Sequence, residues 1–264
     1  MRQPEQTDPQ RWLAGVWLER HGLADVEPTP LLAARLAVRR RVRVADSLLL
    51  AAFIVGAALT HVSALPSDVT SSWLPTLVLV ALVVGLLVAQ WLLGWWVRHV
   101  DRRAGARLAR RVAHPVQLGW SAVLGRSYAV FTVASFTAAL LLAVSVLAVP
   151  DPGLRRGATV VLIGLTGAAV GIVLQLRNVL ASPAVADDEA SLTADVIMRV
   201  EDARALVTPS LVWTLPAIFL YGESFGWWNV ASIGLVVVGA IAYCLIHFRS
   251  TGVGTAARRA MVTG

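Results

Sequence analysis

The chain has 264 residues, of which 57% are hydrophobic and only 15% charged, whereas an average soluble domain carries roughly 25% charged residues. With a mean hydropathy of +0.68 and apolar residues gathered in unbroken blocks, this composition excludes a soluble globular domain and points to an all-α, polytopic transmembrane helix bundle. A net charge of +7 raises nucleic acid as a partner, but the charges lie between and beside the apolar blocks, so the expected partner is a lipid bilayer with anionic headgroups and no nucleic acid.

Residues 1–46 read as a cytoplasmic helical segment. Asp8 followed by Pro9 marks a cap and first turn, leading through Trp12, Leu13, Val16 and Trp17 to a stop at His21-Gly22. Thr29-Pro30 starts a second helix that runs into the first span and carries Arg39, Arg40, Arg41 and Arg43 to the headgroup level. The apolar block begins near Ser47, too late for an ordinary secretory signal, so the N-terminus is expected to be retained.

Apolar stretches of about 20 residues define a transmembrane domain over 47–248 with about six spans: Ser47 to Leu65, Trp73 to Val97, Ser127 to Val149, Thr159 to Leu176, Ala205 to Tyr221 and Trp228 to Phe248. The fifth is the shortest in strictly apolar length and is interrupted by Pro209 and Pro216, which predicts a kink at Pro216. Residues 249–264 form a cytoplasmic tail. Trp91, Trp95, Trp96, Trp120 and Trp213 are expected near the inner interface and Trp73, Trp227 and Trp228 near the outer one.

Orientation follows from the basic residues, all 23 of which are arginine. Twenty-one fall on the side that holds both termini, and only Arg155 and Arg156 fall on the other. The positive-inside rule then predicts a cell (inner, cytoplasmic) membrane protein with both termini in the cytoplasm.

Between spans two and three, Arg103, Arg107, Arg110 and His114 recur at three- and four-residue spacing, with Arg111 beside them. This is the pattern of a short amphipathic helix on anionic lipid, with Arg103, Arg107, Arg110 and Arg111 as contacts; a purely topological role explains the same arginines more simply. Between spans four and five, the acidic run Asp187, Asp188, Glu189 opens a second amphipathic helix, read as a solvated, dipole-stabilised start rather than a cation site. Leu192, Val196, Val200, Ala203 and Val207 form its apolar face, and Asp195, Arg199 and Asp202 its polar face.

No charged residue sits in the middle of a span, which disfavours a proton-coupled pathway. Helical rise places Gln90, Gln175 and Tyr243 at similar depth, about 22 to 25 Å from the outer ends of their spans. They can line a cytoplasm-facing polar cavity; interhelical hydrogen bonding, Gln90 to Gln175 or to Tyr243, is the simpler account. At the outer face His61, Asp68, Asp151, Tyr221 and Glu223 lack paired metal-ligand spacing and are read as separate interfacial groups. Gly164, Gly167 and Gly171, the last two a GxxxG, together with Ala81 and Gly85, are expected to serve packing within the bundle. Cys244 is read as a free core cysteine.

In its arginine-only loops, Ala/Val/Leu spans and short polar termini the chain resembles the uncharacterised multi-pass membrane proteins of high-GC actinobacteria over its whole length. The resemblance implies no activity. Neither a P-loop nor a GxSxG motif is present, and no cofactor, metal or catalytic residue is expected. The functional expectation is a non-enzymatic membrane component, either a transport or export subunit or an anchoring or regulatory partner of another membrane or cytoplasmic protein. A self-contained small-solute transporter is the alternative, and a lipid-acting enzyme using His61 and Glu223 the third.

Overall fold

A computed structural model describes residues 9–64, 73–106, 120–182, 189–208, 210–221, 226–249, 252 and 254–255. The described residues form eight α-helices and one 3-10 segment: α1 (Pro9–Arg20), α2 (Pro30–Ala64), α3 (Leu74–Ala106), α4 (Trp120–Leu147), α5 (Pro152–Ala181), α6 (Glu189–Val207), α7 (Ser210–Thr214), the 3-10 stretch Leu215–Tyr221, and α8 (Trp227–Arg249). Five of them are long and apolar enough to cross a membrane: Pro30–Val62, Leu74–Ala106, Val123–Leu147, Pro152–Ala181 and Trp227–Arg249. The chain is a membrane-embedded all-α bundle. Val55, Leu59, Val130, Val133, Val173 and Val238 stay exposed on its outside, as lipid contact requires.

Each long helix extends past its apolar block because the flanking polar residues have helical partners too. Pro30 supplies the preset φ of a first helical turn, the Thr29 hydroxyl accepts from Leu32 N at 3.2 Å, and α2 then runs unbroken through the arginine-rich turns into the span. Asp151 caps α5 by accepting from Gly153 N at 2.7 Å and Leu154 N at 3.2 Å, with Pro152 in the first turn. Gly125 breaks the start of α4: its φ of 71° and ψ of 158° lie in a region open essentially to glycine. The turn before it carries Val123 and Leu124 onto Val196, Ile197 and Val200 of α6.

The expected fifth span, Ala205 to Tyr221, is not one helix with a kink. α6 ends at Val207, and Pro209 has no N–H with which to continue the ladder. The Val207 carbonyl lies 2.8 Å from the Thr132 hydroxyl of α4, whose one proton is shared between it and the Tyr128 carbonyl at 2.9 Å. From there α7 contributes 5 residues and the 3-10 stretch, which contains Pro216, 7 residues. At ordinary rises these two pieces span about 7 Å and about 14 Å, so the tighter, longer-pitched 3-10 backbone lets a short segment cover most of the bundle's apolar depth.

Contacts along that segment fix its course. Leu215 packs against Gly164 at mid-depth in α5, and Ile218 and Phe219 approach Gly157 nearer that helix's start. Val212, Leu215, Ile218 and Phe219 are buried in the central core with Val83, Leu86, Val161 and Leu165. The segment is thus an internal rod wrapped by α2, α4, α5 and α8 rather than a lipid-facing helix. Trp213 belongs to this rod. It meets Phe131 edge-on at 6.0 Å and lies against Gly239, inside the bundle rather than at the interface expected for it.

Two smaller expectations also change. Cys244 is exposed on α8 instead of buried in the core. Of the glycines, a Cβ on Gly164 would meet Leu215 at 2.9 Å and Val83 at 3.1 Å, and one on Gly167 would meet Leu87 at 2.6 Å, whereas neither Gly171 nor Gly85 has a neighbour within 4 Å. Close approach therefore uses Gly164 and Gly167, and Gly171 faces open space.

Candidate functional site

At the end of the bundle where α2 begins and α3 and α5 finish, α6 packs alongside α2 and α4. Its apolar residues meet two clusters, one with Val123 and Leu124 and one with Leu18 and Leu32, so α6 is sandwiched rather than laid on a membrane surface. The polar face read from its spacing is therefore buried as well: Asp195 has no exposure and Arg199 only 7%. A buried carboxylate is tolerable only with charged partners, and they come from α2 and from α6 itself.

Arg35 of α2 donates from Nε to Asp101 of α3 at 2.7 Å and from Nη2 to Asp195 of α6 at 2.5 Å. One turn on, Arg39 donates to Asp101 at 2.7 Å and to Asp202 at 2.8 Å. Arg199 closes the set, giving Nε to Asp195 at 2.9 Å and Nη1 to the Ser182 carbonyl. Three guanidinium groups and three carboxylates thus neutralise one another across α2, α3 and α6. Arg39, expected at the headgroup level, is buried here; Arg40, Arg41 and Arg43 remain exposed.

A second contact ties α1 to the same helix. His21 donates Nδ1–H to the Trp17 carbonyl at 2.8 Å and sits 3.2 Å from Glu201, to which Trp17 Nε1 also donates at 3.4 Å. Burial opposes the His21 charge, but the bonds to Glu201 and to the Trp17 carbonyl outweigh it and raise the imidazole pKa. Glu201 is held below the usual glutamate range: its own burial works the other way, and the bond and charge from His21 prevail, helped by Arg43.

Beside the ion network lies a cavity of about 1450 Å³, walled by α2, α3, α5, α6, α7 and α8. Ligand sites commonly occupy about 300–1,000 Å³, so the space admits a whole organic molecule. Its wall on α3 is a single helical face whose character changes along the axis, from Val84, Leu87, Val88 and Trp91 to Gly94, Arg98, Asp101 and Arg102. Seven arginines line the cavity against five carboxylates, Asp46, Asp101, Asp195, Glu201 and Asp202. Near Tyr243, Tyr128 carries the Arg204 guanidinium over its ring at 5.1 Å and approaches His247 Nδ1 at 3.5 Å. Burial lowers the Arg204 pKa, with the neighbouring Tyr128 acting weakly against it.

Gln90, Gln175 and Tyr243 all line this one cavity. The hydrogen bond expected between the two glutamines is not formed: Gln90 gives its amide to Asp46 of α2 at 2.8 Å. Gln175 instead lies over Gly94, where the missing side chain leaves room for its amide. Tyr243 packs on Trp213, Phe131 and His247. Arg103 is exposed on the last turn of α3, whereas Arg107, Arg110, Arg111 and His114 lie outside the described residues, as do Asp187 and Asp188. At the opposite end Asp151 is occupied as a helix cap and His61 approaches the Ala57 carbonyl at 3.0 Å. Asp68 and Glu223 are outside the described residues.

Comparison with family models, with curated proteins and with solved structures found no match to this chain.

Proposed function

We propose that the chain is a non-enzymatic solute-binding component of the transport class, seated in a cell (inner, cytoplasmic) membrane with both termini and the cavity mouth on the cytoplasmic side. The observation that carries this reading is the cavity: about 1450 Å³ at membrane depth, with Gln90, Gln175 and Tyr243 on its wall and arginines at one end. Orientation rests on the arginine excess at that end. A non-enzymatic role is supported by the state of two carboxylates: Asp101 and Asp195 each accept from two arginines, which occupies them as structural partners. The same basic end faces anionic headgroups of the bilayer.

Gly171 provides the test, because it lines the cavity and a side chain there meets nothing within 4 Å. In a Cys244→Ser background, Gly171→Cys should react with a membrane-impermeant maleimide in inverted vesicles and resist it in right-side-out ones. Absence of labelling in both preparations refutes a water-filled cavity, and labelling only from the outside refutes the orientation.

The exposed Trp12 and Leu13 on α1 favour a second reading, in which that helix presents a contact surface to a regulatory or anchoring partner.

A further inference from the structure

The cavity's charges do not cancel. Asp101, Asp195 and Asp202 are taken by Arg35, Arg39 and Arg199, and Glu201 is bonded by His21 and Trp17 and also feels the Arg43 charge; Asp46 keeps its charge while accepting from the neutral Gln90 amide, so seven arginines still outnumber five carboxylates. Arg98 and Arg102 stand four residues apart on the cavity face of α3, and Arg43 of α2 lines the same space. Among the described residues none of these three is in an ion pair. Like charges at this helical spacing repel, so an anion bound between them is favoured by relief of that repulsion as well as by direct bonds.

The same face of α3 supplies the other half of the recognition. From Arg98 back to Val84 the helix rises about 21 Å, and Trp91, Val88, Leu87 and Val84 line the cavity over that distance. One leaflet of a hydrocarbon core about 30 Å thick is shorter than this. A compact inorganic anion would use only the arginine end and leave the apolar wall, where Val84, Val88 and Trp91 are exposed, without a partner of its own. A purely apolar molecule would leave the arginines without a counter-charge.

We infer that the cavity binds an anionic amphiphile, with its phosphate-type head on Arg98 and Arg102 beside Arg43 and its apolar tail along Val84, Leu87, Val88 and Trp91. This assigns a ligand class to the cavity and rests on the solute-binding reading above.

The test is equilibrium binding of radiolabelled decyl phosphate to the full-length protein purified in a neutral maltoside detergent, which is itself an excess of uncharged amphiphile. Binding should saturate and be displaced by unlabelled decyl phosphate, with inorganic phosphate, decanol and decyltrimethylammonium at least about a hundredfold weaker as competitors, since each lacks one half of the recognition. The double change Arg98→Gln with Arg102→Gln should weaken binding by about tenfold per arginine, and Arg98→Lys with Arg102→Lys should restore most of it. Gly171→Leu, whose Cβ would meet nothing within 4 Å, places an apolar side chain in the cavity and should weaken binding while leaving elution and thermal stability unchanged.

Competition by inorganic phosphate as strong as that of decyl phosphate overturns the amphiphile and leaves a small-anion site. Equal binding of decyltrimethylammonium, insensitive to the glutamine changes, overturns the anionic class while the cavity reading stands. Absence of saturable binding, or binding indifferent to Gly171→Leu, overturns the proposal; labelling of Gly171→Cys then shows separately whether the cavity is open.

Discussion

Replacing Asp195 by asparagine keeps the side-chain size and removes one charge from the centre of the ion network. Asp195 has no exposure and is shared between Arg35 of α2 and Arg199 of its own helix, so the change leaves both guanidinium groups facing an amide. Hydrogen bonds to charged groups are worth about 1.5–3 kcal/mol each, and breaking a buried pair from one side costs about 3–5 kcal/mol. Arg35 retains Asp101 and Arg199 retains the Ser182 carbonyl, which keeps the expected loss inside that range rather than above it. Asp202 is the matched control: its side chain is 26% exposed and its partner Arg39 keeps Asp101 at 2.7 Å, so Asp202→Asn should cost less than about 2 kcal/mol. Unfolding by dodecyl sulfate in mixed micelles, followed by circular dichroism, measures both differences. A loss below about 1 kcal/mol at Asp195, or a larger loss at Asp202 than at Asp195, would show that the network does not lock α2 to α6 as described.

Other perturbations follow from the same geometry. Gly164→Ala drives a Cβ between Leu215 and Val83 and should cost about 1–3 kcal/mol in the same assay, whereas Gly171→Ala should be neutral or slightly stabilising because it meets nothing and improves helix propensity. Gly125→Ala should cost about 1–3 kcal/mol and expose the Val123–Leu124 turn, read as faster hydrogen exchange in α6 where that turn packs. For the α1 contact, His21 has a raised pKa, so its contribution is complete below its ordinary value of 6.5 and is lost as pH rises through the raised one. Glu201 has a lowered pKa, so its contribution is complete above 4.5 and is lost as pH falls through the lowered one. The stability gap between the native chain and His21→Gln should therefore be widest between pH 4.5 and 6.5 and shrink at higher pH; a pH-independent gap would refute the ion pair.

The long spans were legible in the sequence because hydropathy is a local property, written into consecutive residues. The rod was legible only as a defect. Pro209 and Pro216 announce an interruption, but the change to 3-10 backbone and the enclosure by four helices depend on partners such as Gly164, which no local pattern names. The three- and four-residue spacing of Asp195, Arg199 and Asp202 correctly put them on one face of α6. Their burial was not readable, because it depends on Arg35 and Arg39, more than 150 residues away along the chain. Equal depth brought Gln90, Gln175 and Tyr243 together by simple helical rise. It missed Asp46 as the partner of Gln90, since Asp46 stands just before the apolar block and only the continuity of α2 carries it to that level. The GxxxG spacing drew attention to Gly167 and Gly171, while the contacts select Gly164 and Gly167, because orientation toward a neighbour is set by the bundle and not by the spacing.

The ion network and the cavity are two uses of one surplus of arginine. A membrane protein can anchor a helix such as α6 with apolar contacts alone, and exchanging a buried ion pair for apolar side chains is often neutral or stabilising. What the paired charges add here is register: Arg35 and Arg39 sit one turn apart on α2 and share Asp101 while reaching Asp195 and Asp202, so sliding α6 would break both contacts that tie it to α2 and leave Asp195 only Arg199 of its own helix. That fixed register sets the rim of the cavity, because α2, α3 and α6 all contribute to its wall. It also consumes three of the five carboxylates on that wall, so the arginines left over on α2 and α3 give that end an excess of positive charge. The same pairing that holds the helices in place thereby leaves the cavity electrostatically suited to an anion, and the length of apolar wall beside it makes an amphiphile the ligand that satisfies both ends.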